Sequence, residues 1–157
     1  MMCNPTAPPA SRRPTPLWSR SCERSFPGHL DQVREARAFM TRMLDGWPAA
    51  DDAVLLISEL ATNACTYTAS GTPGGTFTVR VARFRGLVRA EVEDQGSTWD
   101  GNLSAAQPPH GLYLLQALSA SCGTYPGARG WVAWYTLATP PGVARHTLDT
   151  PPGPALP

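Results

Sequence analysis

The sequence predicts an α+β fold: a two-layer sandwich with a mixed or antiparallel sheet and helices on one face. Three observations predict it. Apolar residues recur at helical spacing over 31–44 and again over about 49–67. Two stretches of strict alternation follow, 76–83 and 87–93, joined at Arg85-Gly86 as a hairpin. Proline crowds both ends of the chain, so one folded unit, 22–139, is expected between Pro-rich tails at 1–21 and 140–157. Such tails bury little and are expected to be disordered.

Each element has a local reason. Ser25-Phe26-Pro27-Gly28 reads as a short edge strand. Over 31–44, Val33, Ala36, Arg37 and Met40 follow the helical period, and Phe39, Met43 and Leu44 widen the stripe. Gly46 and Pro48 stop that helix. The next begins near Ala49, carries Asp51 and Asp52 in its first turn, where carboxylates favour the dipole, and runs to about Tyr67. Ser70-Gly71-Thr72-Pro73-Gly74-Gly75 is a loop. In the hairpin Phe77, Val79 and Val81 alternate with Thr78, Arg80 and Ala82, which predicts half-buried strands. Residues 94–109 have no period, and a loop of that length is functional or disordered. A helix over 111–120 and a last strand over 131–137 complete the order β-α-α-β-β-α-β.

Composition narrows the function. The chain has 157 residues, enough for one domain, and a formal net charge of +1, so there is no general electrostatic case for nucleic acid or an anionic membrane. Every basic residue is Arg, and Lys is absent, so a phosphate must be met by Arg or by backbone N–H groups. Cys3, Cys22, Cys65 and Cys122 form no C-x-x-C pair and match no zinc spacing. Cys65 and Cys122 lie in apolar stretches and read as buried free thiols. No apolar run is long enough to span a membrane, and the N-terminus lacks a signal-peptide core, so the expected location is the reducing cytoplasm.

The chemistry concentrates in Leu55-Leu56-Ile57-Ser58-Glu59-Leu60-Ala61-Thr62-Asn63-Ala64. Glu59 and Asn63 are four residues apart and share one helix face. A carboxylate in an apolar run is costly unless something pairs with it. A carboxylate and an amide aimed at one spot suit a hydrated Mg²⁺ and its phosphate ligand. The plain alternative is a solvated stripe of Glu59, Thr62, Asn63 and Thr66, which would also expose the bordering Leu55, Leu56 and Leu60. Asp94-Gln95-Gly96 at a strand end reads alone as a turn, or as a carboxylate that accepts from a ligand's amino group beside a close-approach glycine. His110-Gly111-Leu112 reads alone as a loop and an N-cap, or as a helix start open to phosphate.

In their order and spacing these segments resemble the Bergerat-fold (GHKL) ATPases, the superfamily of histidine kinases, gyrase and MutL. The similarity is closest to the small anti-sigma-factor serine/threonine kinases. Glu59-Leu60-Ala61-Thr62-Asn63-Ala64 resembles the N-box, Glu91-Val92-Glu93-Asp94-Gln95-Gly96 the G1 box and His110-Gly111-Leu112-Tyr113-Leu114-Leu115 the G2 box. The resemblance implies ATP and Mg²⁺ as cofactors, with Asn63 as the Mg²⁺ ligand and Glu59 as catalytic base or orienting group for the attacking hydroxyl. It implies that Asp94 accepts from the adenine amino group, with Gly96 making room. It places 102–109 in an ATP lid, and Gly111 and Leu112 as backbone donors to phosphate. His110 and Tyr67 would line the ATP pocket.

The same resemblance implies transcription regulation: a sigma factor as partner, a STAS-type antagonist as phospho-acceptor, and a homodimer. Two departures stand out. Pro109 occupies the first glycine position of the G2 box, and Val132 aligns with a threonine that commonly lies near the adenine. The altered G2 box motivates an alternative, a non-catalytic ATP-binding or partner-sequestering module. A metabolic enzyme of unrelated α+β fold, with Glu59 as a buried acid or base, is a third reading. A ligand pocket away from Glu59, Asn63 and Asp94 would favour it.

Overall fold

The computed structural model describes residues 20–84, 86–96 and 111–138. The chain forms strand β1 (Arg20–Pro27), helices α1 (Gln32–Met43) and α2 (Ala50–Tyr67), and a 3-10 turn at Ala69–Gly71. Strands β2 (Thr76–Phe84) and β3 (Leu87–Glu93), helix α3 (Gly111–Leu118), and strands β4 (Ser121–Pro126) and β5 (Trp131–Ala138) follow. One five-stranded sheet has the order β1-β2-β3-β5-β4. Every neighbouring pair is antiparallel. This is the expected α+β sandwich, and of the mixed and antiparallel forms it is the antiparallel one.

The helix stripes and the hairpin alternation meet in one core. Ala36, Phe39 and Met40 of α1 and Leu56, Ile57, Leu60 and Ala64 of α2 are buried against Phe77, Val79, Val88, Ala90 and Tyr135. Phe26 stacks on Phe77 at 5.3 Å between ring centroids and meets Phe39 edge-on at 6.1 Å. Buried Tyr135 donates its hydroxyl to the Ala53 carbonyl at 2.7 Å, which fixes β5 under the first half of α2. Burial pushes the Tyr135 phenol well above its ordinary value, so it stays a neutral donor. Among the described residues Cys22, Cys65 and Cys122 take part in no disulfide; Cys65 and Cys122 are half-buried and Cys22 is exposed. Burial, then the nearby Asp31 charge, pushes the Cys65 thiol up. No described helix is long and apolar enough to cross a membrane.

Three expectations change. The sequence places no element between the helix over 111–120 and the last strand; instead α3 stops at Leu118 and Ser121–Pro126 forms β4 at the sheet edge. The first strand starts at Arg20 rather than Ser25: its ladder with β2 runs from Arg20 opposite Arg83 to Pro27 opposite Thr76, and Glu23 adds an exposed ion pair to Arg80 at 3.0 Å. The hairpin is more than half buried, since β3 hides Glu91 and Glu93 as well as its apolar residues. Residues 1–19, 97–110 and 139–157 lie outside the described residues, and with them most of the expected tails 1–21 and 140–157 and all of the expected lid 102–109.

The helix-free face of the sheet carries a closed charge network. Glu93 binds Arg80 and accepts the Arg129 backbone N–H at 3.1 Å. The Arg129 guanidinium bonds the Thr78 hydroxyl, which shares a 2.8 Å hydrogen bond with Ser25. Glu91 accepts from Arg89 at 2.7 Å and from the Tyr125 hydroxyl at 3.1 Å. Burial alone would raise the Glu93 carboxyl, but the Arg80 and Arg129 contacts outweigh it and hold it below the ordinary range. Such a carboxylate stabilises the fold above its unfolded value of about 4.3, and the contribution fades as pH falls through the lower folded value. Glu93→Gln should therefore cost about 1–3 kcal/mol at pH 7 and flatten the loss of stability on acidification. Urea midpoints measured between pH 7 and pH 2 check this.

Candidate nucleotide site

The polar face of α2 is half-buried. Glu59, Thr62 and Asn63 lie between the buried Leu56 and Leu60 and the solvent. Leu55, however, is 41% exposed, so only part of the expected apolar frame closes around the stripe. Among the described residues neither Glu59 nor Asn63 makes a hydrogen bond or ion pair, which leaves their oxygens available to a ligand. Tyr67, one turn beyond Asn63, is 62% exposed at the end of the helix.

The other end of the site is built on backbone. Asp94 Oδ1 accepts from Gly96 N–H at 2.7 Å and from Trp131 N–H at 3.1 Å, while Asp94 N–H donates to the Trp131 carbonyl at 2.9 Å. One carboxylate oxygen is thus pinned, and Oδ2 makes no hydrogen bond among the described residues. This is turn chemistry and an aimed acceptor at once. Gly96 has φ +78°, a left-handed conformation that suits glycine.

The two ends are joined. Gly96 carbonyl accepts Ala69 N–H at 2.6 Å, and Gln95 N–H donates to the buried Ser70 hydroxyl at 3.0 Å. The segment that follows α2 therefore meets the Asp94 segment, with Asn63 and Glu59 one and two turns back from Tyr67, a rise of about 6 Å for each four residues. Gly111 and Leu112 open α3. Leu118 and Ser119, at its other end, line a cleft of ≈ 520 Å³ with Pro48, Ala49 and Asp52 at the start of α2. The Gly111 end of α3 is thus directed away from the start of α2. That cleft holds one carboxylate, Asp52, and one hydroxyl, Ser119, which donates to the Leu115 carbonyl. His110 lies outside the described residues.

Val132 is corrected. It lies opposite Glu93, on the helix-free face, and is buried there. The residue that faces Asp94 across the ladder is Trp131, a side chain that the sequence reading passed over. Its signal was the alternation Trp131, Ala133, Tyr135, which runs on the core face one residue out of step with Val132.

Gly130, next to it, presses on the same segment. A Cβ there would stand 2.1 Å from Gly96 N and 2.6 Å from Asp94 O, backbone atoms that cannot rotate away. Gly130→Ala should cost about 2 kcal/mol or more and displace Asp94. A urea melt, with hydrogen exchange at Gly96 and Trp131, reads both effects.

The donor set fits Mg²⁺ and phosphate chemically: Glu59 and Asn63 offer hard oxygen donors without internal partners. Among the described residues there is no cluster of three or more His, Cys, Asp or Glu, so a cation here would draw further ligands from its substrate and water. No curated protein matches the sequence. The family model of the histidine kinase-like ATPase domain matches residues 26–134, from the end of β1 into β5, and so takes in the Glu59/Asn63 helix, Asp94 and the start of α3. The chain belongs to the histidine kinase-like ATPase domain family.

Proposed function

We propose that the protein binds ATP with Mg²⁺ and acts as an anti-sigma-factor-type serine/threonine kinase. It would hold a sigma factor and phosphorylate a STAS-type antagonist in the cytoplasm, as a homodimer. The family implies ATP binding. The finer reading rests on the resemblance of the three boxes to the small kinases of this superfamily. The observation that carries it is the pinned Asp94 carboxylate at the end of the helix that presents Glu59 and Asn63.

The roles follow from chemistry. Asp94 Oδ2 accepts the exocyclic amino N–H of adenine, and Oδ1 is held back by two backbone donors. Gly96 lets the backbone approach the base. Asn63 and the phosphates hold Mg²⁺, which neutralises phosphate charge when bound. Gly111 and Leu112 present backbone N–H groups to phosphate, with His110 beside them. Glu59 orients the acceptor hydroxyl and takes its proton as the γ-phosphoryl group moves from ATP to that oxygen, leaving ADP. Tyr67 borders the pocket on its solvent side.

Asn63→Ala should abolish Mg²⁺-dependent ATP binding. Glu59→Gln should leave binding intact and slow transfer by about 10²–10⁴-fold. Calorimetry with ATP and Mg²⁺, and transfer of labelled γ-phosphate to a co-purified protein, measure the two. Pro109, in place of a G2-box glycine, favours a second reading in which nucleotide is bound but not turned over. ATP binding without any transfer to partner would establish that reading. Absence of ATP and ADP binding at millimolar concentration would sink both.

A further inference from the structure

We propose that the Trp131 indole forms one wall of the base site and selects for a planar heteroaromatic base beside Asp94. This rests on the ATP-binding reading and adds to it a contact that comes from this chain's own sequence.

Placement comes first. Trp131 begins β5 and faces Asp94 across the ladder, with one hydrogen bond between their backbones and one from Trp131 N–H to the Asp94 carboxylate. Two and four residues on, Ala133 and Tyr135 belong to the core beneath the helices. Strand alternation puts Trp131 on that same face, the face on which α2 lies. Residues opposed across an antiparallel ladder hold their Cβ atoms about 4.5–5.5 Å apart. Trp131 thus sets its Cβ beside that of Asp94, on the side of the sheet that carries Glu59 and Asn63.

Its exposure is the second observation. A large aromatic group on the core face is normally covered, yet Trp131 is 45% exposed. The other described tryptophans are capped by cations: Arg83 lies 4.7 Å over Trp47, and Arg89 lies 4.1 Å over Trp134. Among the described residues no ring or guanidinium covers Trp131. An uncovered indole next to a carboxylate with one spare acceptor is the chemistry that recognises a base with an exocyclic amino group. The amino N–H meets Oδ2 and the ring system packs on the indole. Gly130 holds the arrangement, because only a residue without a side chain lets the preceding turn close on Asp94 and Gly96.

The experiment compares wild type, Trp131→Ala and Trp131→Phe in the full chain, with emission read in a Trp99→Phe background because the sequence has five tryptophans. Calorimetry is run with ATP and ADP, each with Mg²⁺, and with inorganic tripolyphosphate as a ligand without a base. Trp131→Ala should weaken ATP and ADP by about tenfold or more, the scale of base–aromatic stacking, and leave tripolyphosphate unchanged. Trp131→Phe should keep most of the nucleotide affinity and lose most of the ATP-induced change in tryptophan emission. Unchanged or tighter ATP binding by Trp131→Ala, or an emission change retained in Trp131→Phe, overturns the proposal and leaves ATP binding standing. If Trp131→Ala does not fold, the Trp131→Phe emission result decides. Failure of the wild type to bind any nucleotide overturns both readings.

Discussion

Ser70 is the point on which the site depends. It is buried, and four parts of the chain close on it. Its hydroxyl accepts Gln95 N–H from the end of β3, and its own N–H donates to the Thr68 hydroxyl at the end of α2. A Cβ at Gly28, just after β1, would fall 1.6 Å from the Ser70 carbonyl oxygen, and one at Gly75, just before β2, 2.2 Å from it. Two glycines are therefore required for the main chains to meet here. Gln95 completes the junction, since its Oε1 accepts Thr76 N–H at 3.0 Å. The end of the Glu59/Asn63 helix and the Asp94 segment are held together by hydrogen bonds among buried or half-buried groups, which are costly to leave unmade.

The sheet supplies a second constraint from its other side. A two-layer sandwich leaves one sheet face without helices, and here that face is closed by charge. Glu93, only 3% exposed, is satisfied by Arg80 and the Arg129 N–H, and Arg129 reaches on to Thr78. Arg129 belongs to the turn between β4 and β5, which also contains Gly130. The contacts that neutralise a buried carboxylate thus draw in the turn that brings Trp131 to Asp94. Charge satisfaction on one face and the geometry at Asp94 on the other share three consecutive residues, 129–131.

Much of this was legible in the sequence, for physical reasons that differ by element. The stripes of α1 and α2 and the β2–β3 alternation are strong periodic signals, and they gave the sandwich and placed Glu59 and Asn63 on one half-buried face. Strand β4 was not legible: Ser121-Cys122-Gly123-Thr124-Tyr125-Pro126 has a glycine inside, a proline at its end and no run of alternating apolar residues. It is a strand because β5 offers it an edge, and Ser121 and Thr136 hydroxyls meet across that ladder at 2.6 Å. Arg20 to Arg24 was not legible either: its polar residues carry no apolar alternation, and it is a strand because β2 offers it an edge. In the site, Val132 and Trp131 are adjacent, and a one-residue shift exchanges the two faces of a sheet. Only the pairing of Glu93 with Val132 resolves which of the two meets Asp94.

The two ends of the site are held by different means, and that difference bears on function. At Asp94 the position is over-determined: two backbone donors fix one carboxylate oxygen, the Gly130 contact closes the turn, and the Ser70 junction locks the flanking residues. A group held this way is pre-organised, so a ligand that meets it loses little affinity to ordering the protein. Glu59 and Asn63 are placed only by the packing of α2, through Leu56, Leu60 and Ala64 on its other face. Their side chains have no described partners to orient them. The rigid end is therefore suited to recognition, and the helix end is suited to groups that become ordered when a charged ligand arrives. In the proposed ATP site this division gives the base a rigid acceptor, and it leaves Glu59 and Asn63 as residues whose replacement does not threaten the fold. The same holds for the wall proposed at Trp131, since a side chain there is positioned by the strand pairing before a ligand binds.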